Sequence, residues 1–179
     1  MSPFPAGRLV AAVALSCSLL AGTTACGNDK DTSSSATPTS SAEKQKFAKT
    51  RFVANAGLAA GATYQWIVKP WKAGKFKKGA DGRTGSLIKA GLAGAFTYNR
   101  LNAALKNAKS DPTLAKAVAP LTASVDKLKD LPSKLRKGDS DSAAKSFDDV
   151  VNDVKEAGKS AGADVKEEVP SLSDLKSGS

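Results

Sequence analysis

One stretch occurs twice in this chain, as Ala56-Gly57-Leu58-Ala59-Ala60-Gly61-Ala62-Thr63-Tyr64 and as Ala90-Gly91-Leu92-Ala93-Gly94-Ala95-Phe96-Thr97-Tyr98. Residues three and four apart share a helical face. Each copy therefore gathers small residues on one stripe that ends in a tyrosine: Gly57, Gly61 and Tyr64 in the first, Gly91, Ala95 and Tyr98 in the second. Stripes this small let two helices approach closely, and the repeat predicts an antiparallel pair. A connecting loop symmetric about Lys78 and Gly79 sets Tyr98 over Gly61, Tyr64 over Ala95 and Val68 over Gly91. Large then faces small at each level, as close packing requires.

The surrounding sequence is helical in style, with few aromatics, prolines at boundaries and no strand-like alternation. A first helix is expected from Ala42 to Val68, with Phe47, Val53, Ala56, Ala60, Tyr64 and Ile67 on its apolar side. Pro70 biases Lys69 out of the helix and should end or kink it. Gly74, Gly79, Gly82 and Gly85 mark a long loop, and a second helix runs from Ser86 to Lys109 through Leu87, Gly91, Ala95, Tyr98, Leu101 and Leu105. Asp111-Pro112 is a cap and first-turn proline for a third helix, bent at Pro120 and Pro132 and closed by Arg136-Lys137-Gly138. Asp139 or Ser140 then caps a fourth, which carries Ala144, Phe147, Val151, Val154, Ala157 or Gly158, and Ala161. Short connections favour antiparallel neighbours, so the expected fold is all-α, an up-and-down four-helix bundle over residues 42–163. The alternative is a loose, Ala-rich assembly that folds only with a partner. Residues 164–179, with Pro170 and few apolar side chains, are expected to be a flexible C-terminal tail.

Residues 1–25 have the parts of an export signal: Arg8 at the positive end, an apolar run from Leu9 to Leu20, and small residues from Ala21 to Ala25. The run is too short to span a bilayer as a helix. Cys26 follows Leu20-Ala21-Gly22-Thr23-Thr24-Ala25, which resembles the lipobox of bacterial lipoproteins, with Thr23 where that family usually carries Leu, Val or Ile. The resemblance implies that Cys26 is diacylated on sulfur and becomes the first residue of a mature chain held on the extracytoplasmic face of the cell membrane. The Ala/Gly/Lys-rich style is similar to small exported lipoproteins of actinobacterial type. The alternative is an ordinary signal peptide cleaved nearby. The rest of the segment 26–41 has no large apolar residue and reads as a disordered tether, with a typical end-to-end distance of roughly 20 Å.

Histidine is absent, which removes the commonest general base and metal ligand together. With Cys26 acylated no thiolate nucleophile remains, and phosphate-loop and dinucleotide patterns are missing. Asp148, Asp149, Asp153 and Glu156 share a flank of the fourth helix, but charge runs at this spacing usually form a solvated face, here beside Lys145, Lys155 and Lys159. Neither enzyme activity, metal nor cofactor is expected.

Charge carries the functional content. From Glu43 to Lys109 fourteen Lys or Arg stand against Glu43 and Asp81, whereas from Ser110 onward eleven basic residues face thirteen acidic ones. The densest part is the loop, where Lys69, Lys72, Lys75, Lys77, Lys78 and Arg83 interleave with Trp71 and Phe76. Cations beside aromatics suit an anionic surface, so these eight residues are the candidate site for anionic lipid headgroups or wall polymers. Nucleic acid would suit the same chemistry, but an exported chain meets little of it. The competing expectation is a partner-protein-binding or structural lipoprotein in which the lysines are only solvated and Trp71 folds back onto the bundle.

Overall fold

The computed structural model describes residues 41–178. The expected signal, Cys26 and the tether as far as residue 40 lie outside the described residues. Within them the protein is all-helical. Helix α1 (Ser41–Thr63) passes through a π-helical turn (Tyr64–Val68) into α2 (Lys69–Lys72), and α3 (Arg83–Ala108) returns alongside. Then come α4 (Pro112–Val118), α5 (Thr122–Lys127), α6 (Leu131–Lys137), α7 (Asp141–Ser160) and α8 (Leu172–Ser177).

Pro70 does not end the first helix. Proline lacks an N–H and its ring crowds the carbonyl four residues back, that of Trp66. The helix answers by widening: Lys69 N–H donates to the Tyr64 carbonyl, five residues back, and the chain continues to Lys72. The end comes at Gly74, whose φ of +70° is open to glycine at little cost. There Gly74 N–H donates to Trp71 O (2.9 Å) and Lys75 N–H to Pro70 O (2.9 Å), the pair of bonds that closes a helix through a left-handed residue.

The two repeat copies do lie together, antiparallel. Their equivalent threonines meet, Thr63 Oγ1 and Thr97 Oγ1 being 3.0 Å apart in the interior, while Arg100 Nη1 donates to Asn55 Oδ1 (3.2 Å). The tyrosines and glycines, however, face elsewhere than expected. Tyr64 is 48% exposed and does not cover Ala95, and Tyr98 is only half-buried. Gly61 faces the backbone of Glu168 and Val169, Gly57 faces Lys166 and Glu168, Gly91 faces Arg136 and Pro132, and Gly94 faces Phe147 and Pro132. The small residues thus admit neighbours other than each other. The buried line on α1 is Ala48, Phe52, Ala56, Ala59, Ala60 and Thr63, then Ile67; Phe47 lies partly in solvent (39% exposed). On α3 it is Leu87, Ala90, Ala93, Phe96, Thr97, Leu101 and Ala104, with Ala95 exposed.

The expected third helix is a chain of short segments. Asp111 Oδ1 accepts from Leu114 N–H (2.9 Å) and Pro112 opens α4, as the cap pattern predicts. Tight 3-10 turns at Ala119–Leu121 and Leu128–Asp130 then divide the arm, the first containing Pro120 and the second two residues before Pro132, prolines that remove a helical donor. Leu114, Val125, Leu128 and Leu135 still point inward. Helix α7 buries Ala144, Phe147, Val151, Val154 and Gly158, which are the apolar positions of its sequence pattern. On its acidic flank Lys145 Nζ reaches Asp149 (2.8 Å), and that carboxylate's hydrogen bond and charge hold the ammonium pKa above its ordinary value. Lys155 pairs across to Glu167 (2.8 Å).

The segment expected to be a free tail is packed. After Ala161 the chain runs extended along α1, with Ala163 and Val165 buried, Asp164 and Lys166 outward, and Glu168 N–H donating to Gly57 O (3.0 Å). Pro170 and Leu175 are buried as well. Extended backbone has no 3.6-residue period, so a search for helical stripes passes over it.

Helix α8 is held at its start by Ser171 and Asp174. Ser171 Oγ and Ser171 N–H donate to Asp174 Oδ2 (2.7 and 2.9 Å), and Asp174 N–H donates to Ser171 Oγ (3.2 Å). These donors favour the ionised carboxyl, so the Asp174 pKa is depressed, first by the Ser171 hydroxyl and then by its amide. A carboxyl depressed on folding contributes above its unfolded pKa and loses that contribution as pH falls through the folded value. The Ser171 and Asp174 amide resonances should therefore titrate with a midpoint below the ordinary Asp value of about 3.9. Ser171→Ala should return the midpoint toward it, and a midpoint at or above it in the unaltered chain would refute the latch.

Candidate functional site

The lysine-rich segment lies at the far end of the first helix. From Ser41 to Lys72 the run extends about 45 Å at roughly 1.5 Å per residue. The loop that follows is folded locally: Lys77 N–H donates to Gly74 O, Ala80 N–H to Lys77 O and Arg83 N–H to Ala80 O.

The eight expected site residues divide into two groups. Phe76 is 3% exposed and belongs to the core, while Trp71 is half-buried and its Nε1–H donates to Asp141 Oδ1 (2.7 Å) at the start of α7. Arg83 Nε donates to Phe76 O (2.9 Å), and its guanidinium lies against Gly138 beyond the end of α6. Trp71, Phe76 and Arg83 therefore clasp the loop to the body; Phe76 is withdrawn from solvent, contrary to the expectation that it stands beside the lysines at a surface, while Trp71 and Arg83 stay partly exposed. The physical reason is ordinary: a phenylalanine gains roughly 1.5–3 kcal/mol by leaving water, and neighbouring lysines do not alter that. Lys69, Lys72, Lys75, Lys77 and Lys78 are exposed, and among the described residues none of them is in an ion pair.

Beside this end the structure opens a cavity of about 290 Å³, walled by Gln65, Trp66, Lys69, Pro70, Ala73, Lys75, Ser86 and Lys89. Its cations come from three places: α2, the loop and the second turn of α3. No carboxylate lines it. Lys89 Nζ sits 5.9 Å from the centroid of the Trp66 ring, within reach of a cation–π attraction. The indole Nε1 of Trp66 is enclosed without a hydrogen-bond partner. The eight expected site residues include neither Trp66 nor Lys89. The legible signal is helical spacing: Trp66, Lys69, Pro70 and Ala73 fall at i, i+3, i+4 and i+7, one face of a helix, and Ser86 and Lys89 fall at i and i+3.

Among the described residues no group of three or more His, Cys, Asp and Glu is gathered as metal ligands would be. Among those residues also, no helix is long and apolar enough to cross a membrane. No protein-family model, curated protein or solved structure matches the chain.

Proposed function

We propose that the protein is a non-enzymatic cell-envelope lipoprotein, anchored through Cys26, that holds an anionic wall polymer with the lysines at the far end of its long helix. The observation carrying this reading is the gathering of Lys69, Lys72, Lys75, Lys77, Lys78 and Lys89 at one end without ion-pair partners among the described residues. Six ammonium groups held close repel one another, and an anionic partner relieves that repulsion. One feature favours a polymer over the headgroups of the anchoring membrane. Phe76 and Trp71, the side chains that would enter an interface, are engaged in the fold. We read the fold itself as an up-and-down four-helix bundle whose third helix is the segmented arm from Pro112 to Lys137.

The test is co-sedimentation of the Cys26→Ser chain, which carries no lipid, with anionic wall fragments and, separately, with phosphatidylglycerol vesicles. Binding to wall fragments should fade as salt rises past about 0.1 M, where the screening length is near 10 Å. Replacing Lys72, Lys75, Lys77 and Lys78 by Gln should abolish most of it. Unchanged binding by that variant, or a preference for vesicles, would overturn the polymer reading. Capture of a discrete protein that survives high salt would favour the partner-binding alternative. Cys26→Ser should release the chain from membranes after a high-salt wash without changing its helical content.

A further inference from the structure

We infer that the cavity beside Trp66 is a binding site for the phosphate ester of a polyol or sugar. This rests on the reading above, that the basic end meets an anionic envelope polymer, and names the unit of that polymer which the fold recognises. The walls have two characters. Lys69, Lys75 and Lys89, from separate elements, line one opening with no carboxylate among the lining residues. Lysine's compact charge suits a phosphate, and several lysines around one opening form a site that a single surface lysine does not. Beside them Trp66, Pro70 and Ala73 give apolar lining for the C–H face of a polyol or sugar ring, while Gln65 and Ser86 supply neutral donors and acceptors for its hydroxyls. The volume of about 290 Å³ is just under the range of drug-sized ligand sites, roughly 300–1,000 Å³, and suits a single small unit.

The backbone supports the same assignment. Gln65 and Trp66 both lie in the π-helical turn Tyr64–Val68, and wide turns of this kind recur at functional sites. The turn that accommodates Pro70 thus also sets two of the residues that line the opening together with Ser86 and Lys89.

The experiment titrates the full chain in dodecyl maltoside micelles with inorganic phosphate, glycerol 3-phosphate and the soluble diester glycerophosphoglycerol, and separately dopes the micelles with phosphatidylglycerol. Calorimetry and Trp66 fluorescence, with Trp71 changed to Phe, give the readouts. Saturable binding of the soluble glycerol phosphates is expected, with Lys89→Gln weakening it about tenfold. Lys116→Gln, which removes the same charge from α4, away from the basic end, should change it less than about twofold. Lys89 and Lys116 are both exposed, so neither change threatens the fold. Equal losses from the two variants would overturn the cavity and leave only a diffuse basic surface. Failure of every soluble ester while wall fragments still bind would overturn the cavity and spare the polymer reading. Failure of both would overturn both. Inorganic phosphate binding as tightly as the esters would remove the polyol from the proposal, and a response only to phosphatidylglycerol would replace it with a lipid source.

Discussion

Replacing Phe76 by Ala should lower the folding stability of this protein by about 3–5 kcal/mol, read as an earlier urea midpoint with an unchanged slope. The ring is 3% exposed and belongs to the main apolar cluster, so its loss leaves a cavity under the loop. The effect should be local first. Arg83 Nε donates to the Phe76 carbonyl, so amide exchange from Lys77 to Arg83 should quicken before the long helices open. The same substitution separates the two roles open to an aromatic among lysines. A ring meant for a bilayer would be dispensable for stability, and its removal would weaken vesicle binding instead. A urea midpoint within error of the unaltered chain would show that Phe76 is not a core residue.

Gly61→Leu should cost at least about 3 kcal/mol, the upper part of the range for overpacking, because what it meets is backbone. A Cβ at Gly61 would overlap the Glu168 carbonyl and come within 2.8 Å of Val169 N, and neither can rotate aside as a side chain would. The extended strap must lift from α1, taking the Glu168 N–H to Gly57 O bond with it and uncovering Val165. Loss of protection at the Glu168 amide should therefore accompany the loss of stability. Gly85→Ala provides the contrast. It lies in the first turn of α3 with open space around it, and alanine's better helix propensity should raise stability by up to about 1 kcal/mol. If Gly61→Leu melts at or above the temperature of the unaltered chain, the strap does not sit where the structure places it.

The Gly61 outcome also shows where reading the chain alone stops. Its small residues say that something comes close, and they do so in both repeat copies. They do not say what. On α1 the visitor is the strap's backbone at Lys166 and Glu168; on α3 it is Arg136 and Pro132 at Gly91, and Phe147 at Gly94. A glycine records the absence of a side chain, which any neighbour can exploit. The threonines that do meet, Thr63 and Thr97, are conspicuous in the repeat but carry no size contrast that would mark them as partners.

Local chemistry was enough where the cause is local. The Asp111-Pro112 start, the breaks near Pro120 and Pro132, the stop at Gly138 and the inward face of α7 follow from donors, missing donors and a 3.6-residue period, all written in neighbouring residues. The concentration of lysines between Lys69 and Lys89 is equally plain in the sequence. Tertiary structure decided what those lysines surround. Trp71 could have faced outward until Asp141, seventy positions along the chain, offered an acceptor, and Phe76 until the core offered room. Trp66 joined the basic end only because α3 returns Ser86 and Lys89 beside it. Burial and ion pairing depend on which distant segment arrives, and a residue's own neighbours in sequence hold no record of that arrival.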